Sequence, residues 1–201
     1  MKKTKALLVI LIIAFVASTA KTSNGVGEEH TSINCTAIAA EKEVVETVKY
    51  TSLGVPNINS SFKTWMSYRA VTNKRSPQYK FINTYGWADE EGFMRYSSEK
   101  EPGVSQDYYM IALGSYYGTT IGTKYRITLT TGEVFYGVLA DCKADKDTNK
   151  TNQYARDNDI VEFIVDTKKL NSKVKYHGNA NVYKPLSGRI LKIERIDFIN
   201  E

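Results

Sequence analysis

Histidine, cysteine, proline and an excess of either charge are all scarce in this chain, and each scarcity removes a class of function. Its 201 residues hold two histidines, two cysteines and four prolines. No C-x-x-C occurs, so neither a thiolate zinc site nor a dithiol redox pair is encoded. No glycine-rich stretch has the spacing of a phosphate loop. No repeat of solenoid period and no low-complexity tract is present. The apolar run "ALLVILIIAFV" (Ala6 to Val16) is eleven residues, short of the roughly 20 that span a bilayer as a helix.

That run nevertheless has a reading. "MKKTK" precedes it and "ASTA" follows, which is the order of a secretory signal peptide ending at Ala20. The reading predicts an exported, extracytoplasmic protein, secreted or associated with the cell envelope, with no membrane contact beyond the signal segment. Lys2, Lys3 and Lys5 leave with it, and 24 basic residues then stand against 22 acidic ones, a net +2. A balance this even removes the charge argument for nucleic acid. In an exported chain Cys35 and Cys142 form either a disulfide or two separate thiols. "NCT", "NSS" and "NKT" at Asn34, Asn59 and Asn149 match the N-glycosylation pattern, which matters only in a eukaryote.

Behind the signal, residues 21–60 read as a tether carrying a helix. "AIAAEKEVVETVKY" (Ala37 to Tyr50) places Val44, Val45 and Val48 on one helical face. "TSLGVPNINS" breaks it at Gly54 and Pro56. Residues 61–104 read as an N-terminal extension packing on the main domain. In it "SSFKTWMSYRAVT" reads as a short helix capped by Ser60 or Ser61, with an aromatic stripe facing the core.

Residues 105–201 change texture. "YYMIAL" (Tyr108 to Leu113), "KYRITLT" (Lys124 to Thr130), "EVFYGVLA" (Glu133 to Ala140), "IVEFIVD" (Ile160 to Asp166) and "RILKIERI" (Arg189 to Ile196) are predicted strands. "TTGE" reads as a hairpin turn with Gly132 at positive φ, and Gly118 and Gly122 bound a tight strand-to-strand crossing. Short strands at regular spacing without a long helix between them predict a mainly β domain, a small closed barrel or sandwich.

Candidate chemistry gathers after the third of these strands. In "LADCKADKDTN" (Leu139 to Asn149), Asp145, Asp147 and Asn149 give half of a calcium loop, but Lys150 and Arg156 stand where glycine and a bidentate glutamate are needed. The expectation is a solvated, self-neutralising loop with no metal and no cofactor. Asp141 directly follows a strand that can fix its side chain, so it is expected at a groove rim, with Asp145, Asp147 and Asn149 out in the loop. If Val161 and Phe163 point inward, Glu162 points to the other face. There it either lines a groove, partly desolvated and able to act as a general acid, or sits on a wet face paired with a lysine. His30 falls in the tether and His177 in a polar turn, and nothing in the sequence brings His177 to Cys142.

The run "YYMIALGSYYGTTIGTKYRITLTTGEVFYGVLADCKADKDTN…DIVEFIVD" resembles the double-psi β-barrel proteins. It is similar to exported Gram-positive proteins of the 3D-domain and RlpA-like kind, and more distantly to the MltA type of lytic transglycosylase. The resemblance spans about Phe93 to Ile196 and implies a six-stranded double-psi barrel with a helical N-terminal segment, working on peptidoglycan or another cell-wall glycan. It places Glu162 where the family has its general-acid aspartate, Asp141 where an aspartate ends the preceding strand, and Asp166 at the third acid. Asp166, Lys143 and Tyr117 are then the expected substrate contacts, with Tyr108, Tyr109 and Tyr116 beside Tyr117 as rings able to stack on sugar. Two features depart from the family: a glutamate replaces the acid, and "CKADKDTNKTNQYARDND" replaces a glycine-rich segment. An envelope module that binds glycan or a protein partner without cleavage is the alternative these departures favour.

Overall fold

The computed structural model describes residues 46–101 and 103–200. The signal segment, most of the tether, His30, Cys35 and any pairing with it lie outside the described residues.

Among the described residues nine strands form one mixed sheet. In chain order they are β1 (Glu46–Leu53), β2 (Trp65–Ser67), β3 (Trp87–Ala88), β4 (Met94–Glu101), β5 (Val104–Leu113), β6 (Lys124–Leu129), β7 (Val134–Cys142), β8 (Glu162–Val165) and β9 (Ile190–Asn200), with helices α1 (Pro77–Tyr85) and α2 (Ser172–His177) between them. The main path runs β1-β9-β6-β7-β5-β4-β3, while β8 pairs with β5 and β2. The pairs β5/β7 and β2/β8 are parallel and the rest antiparallel. Because β1, β2 and β3 each have one partner among the described residues, the ladder there is open. The mainly β expectation holds, and all five predicted strands are present, but backbone pairing forms no closed six-stranded barrel.

The sheet has two apolar faces. Phe93, Tyr109, Ile111, Leu113, Phe135, Leu139, Val161 and Phe163 pack on one, and Met94, Tyr108, Met110, Ala112, Val138, Ala140 and Ile164 on the other beneath Ile82 of α1. "KYRITL" alternates half-buried and buried along β6, as its period of two requires. The turn into β7 has Gly132 at φ +88°.

Three N-terminal expectations change. The helix predicted through Tyr50 is strand by Glu46: Val48 and Tyr50 alternate onto the sheet, and β1 pairs along its whole length with β9. Within "SSFKTWMSYRAVT", "WMS" is β2, parallel to β8 with Trp65 opposite Phe163, rather than part of a capped helix. Ser60 caps nothing; its hydroxyl accepts from Ile190 N at 3.0 Å. The extension over residues 61–104 also contributes β2, β3 and β4 to the sheet itself. Between them α1 starts at Ser76, whose hydroxyl accepts from Tyr79 N, has Pro77 in its first turn, and stops at Gly86.

Candidate functional site

The site begins at a defect in a ladder. β5 and β7 pair Ile111 with Leu139 and then Ala112 with Asp141, so Ala140 is an extra residue in β7. A β-bulge of this kind re-aims the side chain that follows it. Without it Ala112 would oppose Ala140, and Asp141 would fall on the other face. On the other edge of β5, Ala112 pairs with Glu162. Directly opposed residues share a face, so Asp141, Ala112 and Glu162 form a row across β7, β5 and β8. Their outer Cα atoms are two strand spacings, about 10 Å, apart. Ala112 is the residue between Asp141 and Glu162 in the ladder. Val161 and Phe163 are in the core on the opposite face, as the period-two reading of "IVEFIVD" expects.

Glu162 opens into a cleft of about 420 Å³, lined also by Phe62, Thr64, Cys142, Lys143, Asp147 and Asp159 and, at its rim, by Arg156 and Asp157. Its carboxyl is pushed above the ordinary range, first by burial; Lys143 opposes this, Asp159 and Asp141 add to it, and Thr64 opposes it. Asp141 is also pushed up by burial, against a 2.8 Å hydrogen bond that its Oδ1 accepts from Cys142 N. The Cys142 thiol is raised by burial and by Asp141 and Asp145.

Behind Glu162 lies a buried ion pair. Lys143 Nζ donates to Asp159 Oδ2 at 2.5 Å and to the Asp159 carbonyl at 3.2 Å. The two side chains are 5% and 3% exposed. Asp159 also accepts from Thr64 Oγ1 at 2.5 Å and Thr64 N at 3.2 Å. Phe163 N donates to the Thr64 carbonyl at 2.9 Å, which holds Thr64 beside Glu162 through the parallel β2/β8 pairing.

Not every expected residue meets here. Asp141 is beside the cleft but absent from its lining, and Asp147 lines it although it was expected out in the loop. Asp145 instead accepts from Ser115 Oγ at 2.6 Å, and Asn149 Oδ1 accepts from Gln153 N and Tyr154 N. Asp145 and Asn149 thus bond within and beside the loop while Asp147 faces the cleft, and among the described residues no group of three acidic, histidine or cysteine side chains is placed to hold a metal ion. Lys143 lines the cleft, yet its ammonium is committed to Asp159. Asp166 directly follows β8, four residues on from Glu162 and about 13 Å away at strand rise, and lines a separate groove with Tyr68, Asn83 and Lys169. Tyr117 is 2% exposed and Tyr108 and Tyr109 are also core residues, so none presents a ring face to a ligand; Tyr116 is exposed. Their burial follows from the two apolar faces of the sheet, which leave the "YYMIAL" strand no wet side. Asp159, Thr64 and Phe62 were missed. "ARDNDI" carried a signal, an acid directly ahead of an apolar strand, as Asp141 directly follows one.

No protein-family model, curated protein or solved structure matches the chain. Among the described residues no helix is long and apolar enough to cross a membrane.

Proposed function

We propose that this is an exported cell-envelope protein that acts on peptidoglycan glycan, with Glu162 as a general acid of the lytic transglycosylase kind. The observation that carries the reading is the Asp141–Ala112–Glu162 row, which holds a partly desolvated carboxyl at the mouth of a cleft beside a second acid. Protonated Glu162 would give its proton to the glycosidic oxygen as that bond breaks. The resulting carboxylate would then take a proton from the sugar's own hydroxyl as it attacks the anomeric carbon. No water is consumed, so the second carboxylate of a hydrolase is not required.

The finer fold reading, a double-psi barrel, has support of its own. β2, β8, β5, β7, β6 and β9 follow one another in pairing order. The two ends of this series meet through side chains: Ser60 bonds Ile190, and Lys63 Nζ donates to the Gly188 carbonyl at 2.6 Å. We read this as a six-stranded barrel whose seam is closed by side chains in place of a ladder.

Binding without cleavage is the second reading. It is favoured by the tie between Asp141 and its own strand, which keeps that acid out of the cleft lining. Muropeptide release from purified peptidoglycan by the wild-type protein and by Glu162→Gln separates the two. Release that is lost in the variant supports the enzyme. Equal release from both, or retention on insoluble peptidoglycan with no product from either, removes it.

A further inference from the structure

A groove of about 350 Å³ lies beside β5 and the start of β7 and shares no lining residue with the Glu162 cleft. Its charged groups are set by the β4/β5 register. Arg95 opposes Tyr109 and Ser97 opposes Asp107, so these four side chains stand on one face in two neighbouring rows. Arg95 and Asp107 both line the groove.

Arg95 is held on one edge and one face. Its Nε donates to Asp89 Oδ2 at 2.7 Å, and Asp89 is itself fixed, since its Oδ1 accepts from Glu91 N at 3.1 Å and Phe93 N at 2.9 Å. The guanidinium carbon lies 3.2 Å from the centre of the Tyr109 ring. The side chain is only 17% exposed, yet Nε is the only one of its nitrogens with an acceptor among the described residues. The two η nitrogens are not sealed off, because the Tyr117 hydroxyl is the only fully buried side-chain polar atom without a partner there. Four of the five guanidinium N–H donors therefore reach solvent through the groove, in the forked arrangement that fits a carboxylate.

Asp107 is anchored and left open in the same way. Ser97 Oγ donates to its Oδ1 at 2.8 Å, and Trp87 Nε1 donates to Ser97 Oγ at 3.1 Å. Among the described residues nothing donates to Oδ2. Asp107 is the diagonal cross-strand neighbour of Arg95, about 7–8 Å away and within reach of one small ligand. Glu133 adds a second carboxylate to the lining, and no lysine or other arginine is part of it. A plain anion such as phosphate meets one cation and two carboxylates here. A ligand with an ammonium beside its carboxylate meets an opposite charge at each end. Val134, Phe135 and Pro185 supply an apolar wall for the rest of it.

We infer that this groove binds the head group of an α-amino acid, a carboxylate and an ammonium on one carbon, with the carboxylate on the Arg95 η nitrogens and the ammonium on Asp107 Oδ2. It is a site apart from Glu162, and it does not depend on the general-acid reading.

The test is a titration of the full, ¹⁵N-labelled chain with alanine, read by NMR at the Trp87 indole N–H, which ends the hydrogen-bond chain leading to Asp107. The chain has two tryptophans, and the Trp87 signal is assigned by its loss in Trp87→Phe. Alanine is expected to move the signal saturably. N-acetylalanine keeps the carboxylate and loses the ammonium, and alaninamide does the reverse; each forfeits one charged hydrogen bond and is expected to bind about tenfold more weakly. Asp107→Asn keeps an acceptor for Ser97 and removes the charge. It is expected to weaken alanine about tenfold and to leave N-acetylalanine unchanged. No saturable shift with alanine overturns the inference. Equal binding of alanine, N-acetylalanine and inorganic phosphate overturns it too, since that describes a plain anion site, as does an Asp107→Asn protein that binds alanine like wild type. None of these measurements involves a glycan, so absence of muropeptide release removes the enzyme reading and leaves this site standing.

Discussion

Asp141 and Glu162 lie on opposite sides of Ala112, each in register with it through a different strand pairing. Burial raises both carboxyls, and the charge of Asp141 adds to the effect on Glu162. A carboxyl whose folded pKa lies above its unfolded value supports folding below the unfolded value, near 4.3, and loses that support as pH rises through the folded one. Glu162→Gln, which keeps shape and removes the ionisation, is therefore expected to raise the melting temperature at pH 7 and to leave it unchanged near pH 3.5. Thermal melts across that range check it. A variant that is destabilised at pH 7 would mean that the Glu162 anion is well solvated or paired.

Ala112 itself sets the spacing. It is buried, with Asp141 and Glu162 on either side and Ala140 and Ile164 on its face. Ala112→Leu forces extra methylenes into this row and is expected to cost about 1–3 kcal/mol, measured by denaturant unfolding.

How much of this was legible is clearest at particular residues. The face of Glu162 followed from period two alone, because Val161 and Phe163 flank it. Asp141 was right as a strand end, but its face depends on the extra residue Ala140, and a bulge between "VLA" and "DC" has no signature in a single strand. β1 was misread because valines at 44, 45 and 48 fit a helical stripe, whereas Val48 and Tyr50 fit a strand once β9 supplies a partner. Local pattern cannot choose between those when the partner is about 150 residues away. α1 is marked in the sequence at both ends: Ser76–Pro77 is a helix start and Gly86 its stop. The tyrosines are lost as sugar platforms because both faces of the sheet are apolar: Tyr109 and Tyr117 pack on one, and Tyr108 on the other with Met110 and Ile82 of α1.

Tyr117 gives a stability prediction in the other direction. Its ring is in the core, and its hydroxyl finds no hydrogen-bond partner among the described residues. A buried hydroxyl left unpaired costs about 1–3 kcal/mol, and burial accordingly drives its pKa upward. Tyr117→Phe removes the hydroxyl and keeps the ring. It is expected to stabilise the protein by about 1 kcal/mol in denaturant unfolding, whereas Tyr125→Phe, which loses a 2.9 Å bond to the Tyr117 carbonyl, is expected to destabilise it.

Lys63 at the seam carries a pH dependence of known sign. It is 0% exposed, and Nζ donates to the Ser61 carbonyl at 3.2 Å, to Gly188 at 2.6 Å and to Asn181 Oδ1 at 3.4 Å. Burial pushes its pKa from the ordinary 10.5 down to about 8, opposed by the charge of Asp159. The folded chain thus releases this proton before the unfolded chain does, so Lys63 favours folding increasingly as pH rises from about 8 to 10.5. Lys63→Met leaves three acceptors without their donor and is expected to be less stable at pH 7. The gap from wild type should widen between pH 8 and 10. Buried tyrosines such as Tyr109, raised to about 12 by burial, titrate alike in both proteins and cancel in the difference. A gap that narrows over that range would place the Lys63 ammonium in solvent.

The loop after β7 supplies a test that separates two neighbouring aspartates. Asp145 is turned toward Ser115, whose hydroxyl donates to it at 2.6 Å, and Tyr116 N donates to the Asn152 carbonyl at 3.3 Å, so this side of the loop is pinned to the end of β5. Gly114 permits the approach: a Cβ there would stand 2.0 Å from the Asn152 oxygen. Asp147, two residues on, lines the cleft. The two carboxylates are therefore placed differently, one tied to Ser115 and one facing the cleft. Asp147→Asn is expected to change affinity for insoluble peptidoglycan severalfold with the melting temperature unchanged. Asp145→Asn is expected to do little to either, because the amide oxygen still accepts from Ser115. Gly114→Ala is expected to lower the melting temperature and affinity together, since it pushes the loop off β5 and with it the wall that carries Asp147. Peptidoglycan pull-downs run beside thermal melts check all three. An Asp147→Asn protein that binds like wild type, beside an Asp145→Asn protein that does not, would reverse the assignment and make the Ser115-bound carboxylate the ligand's contact.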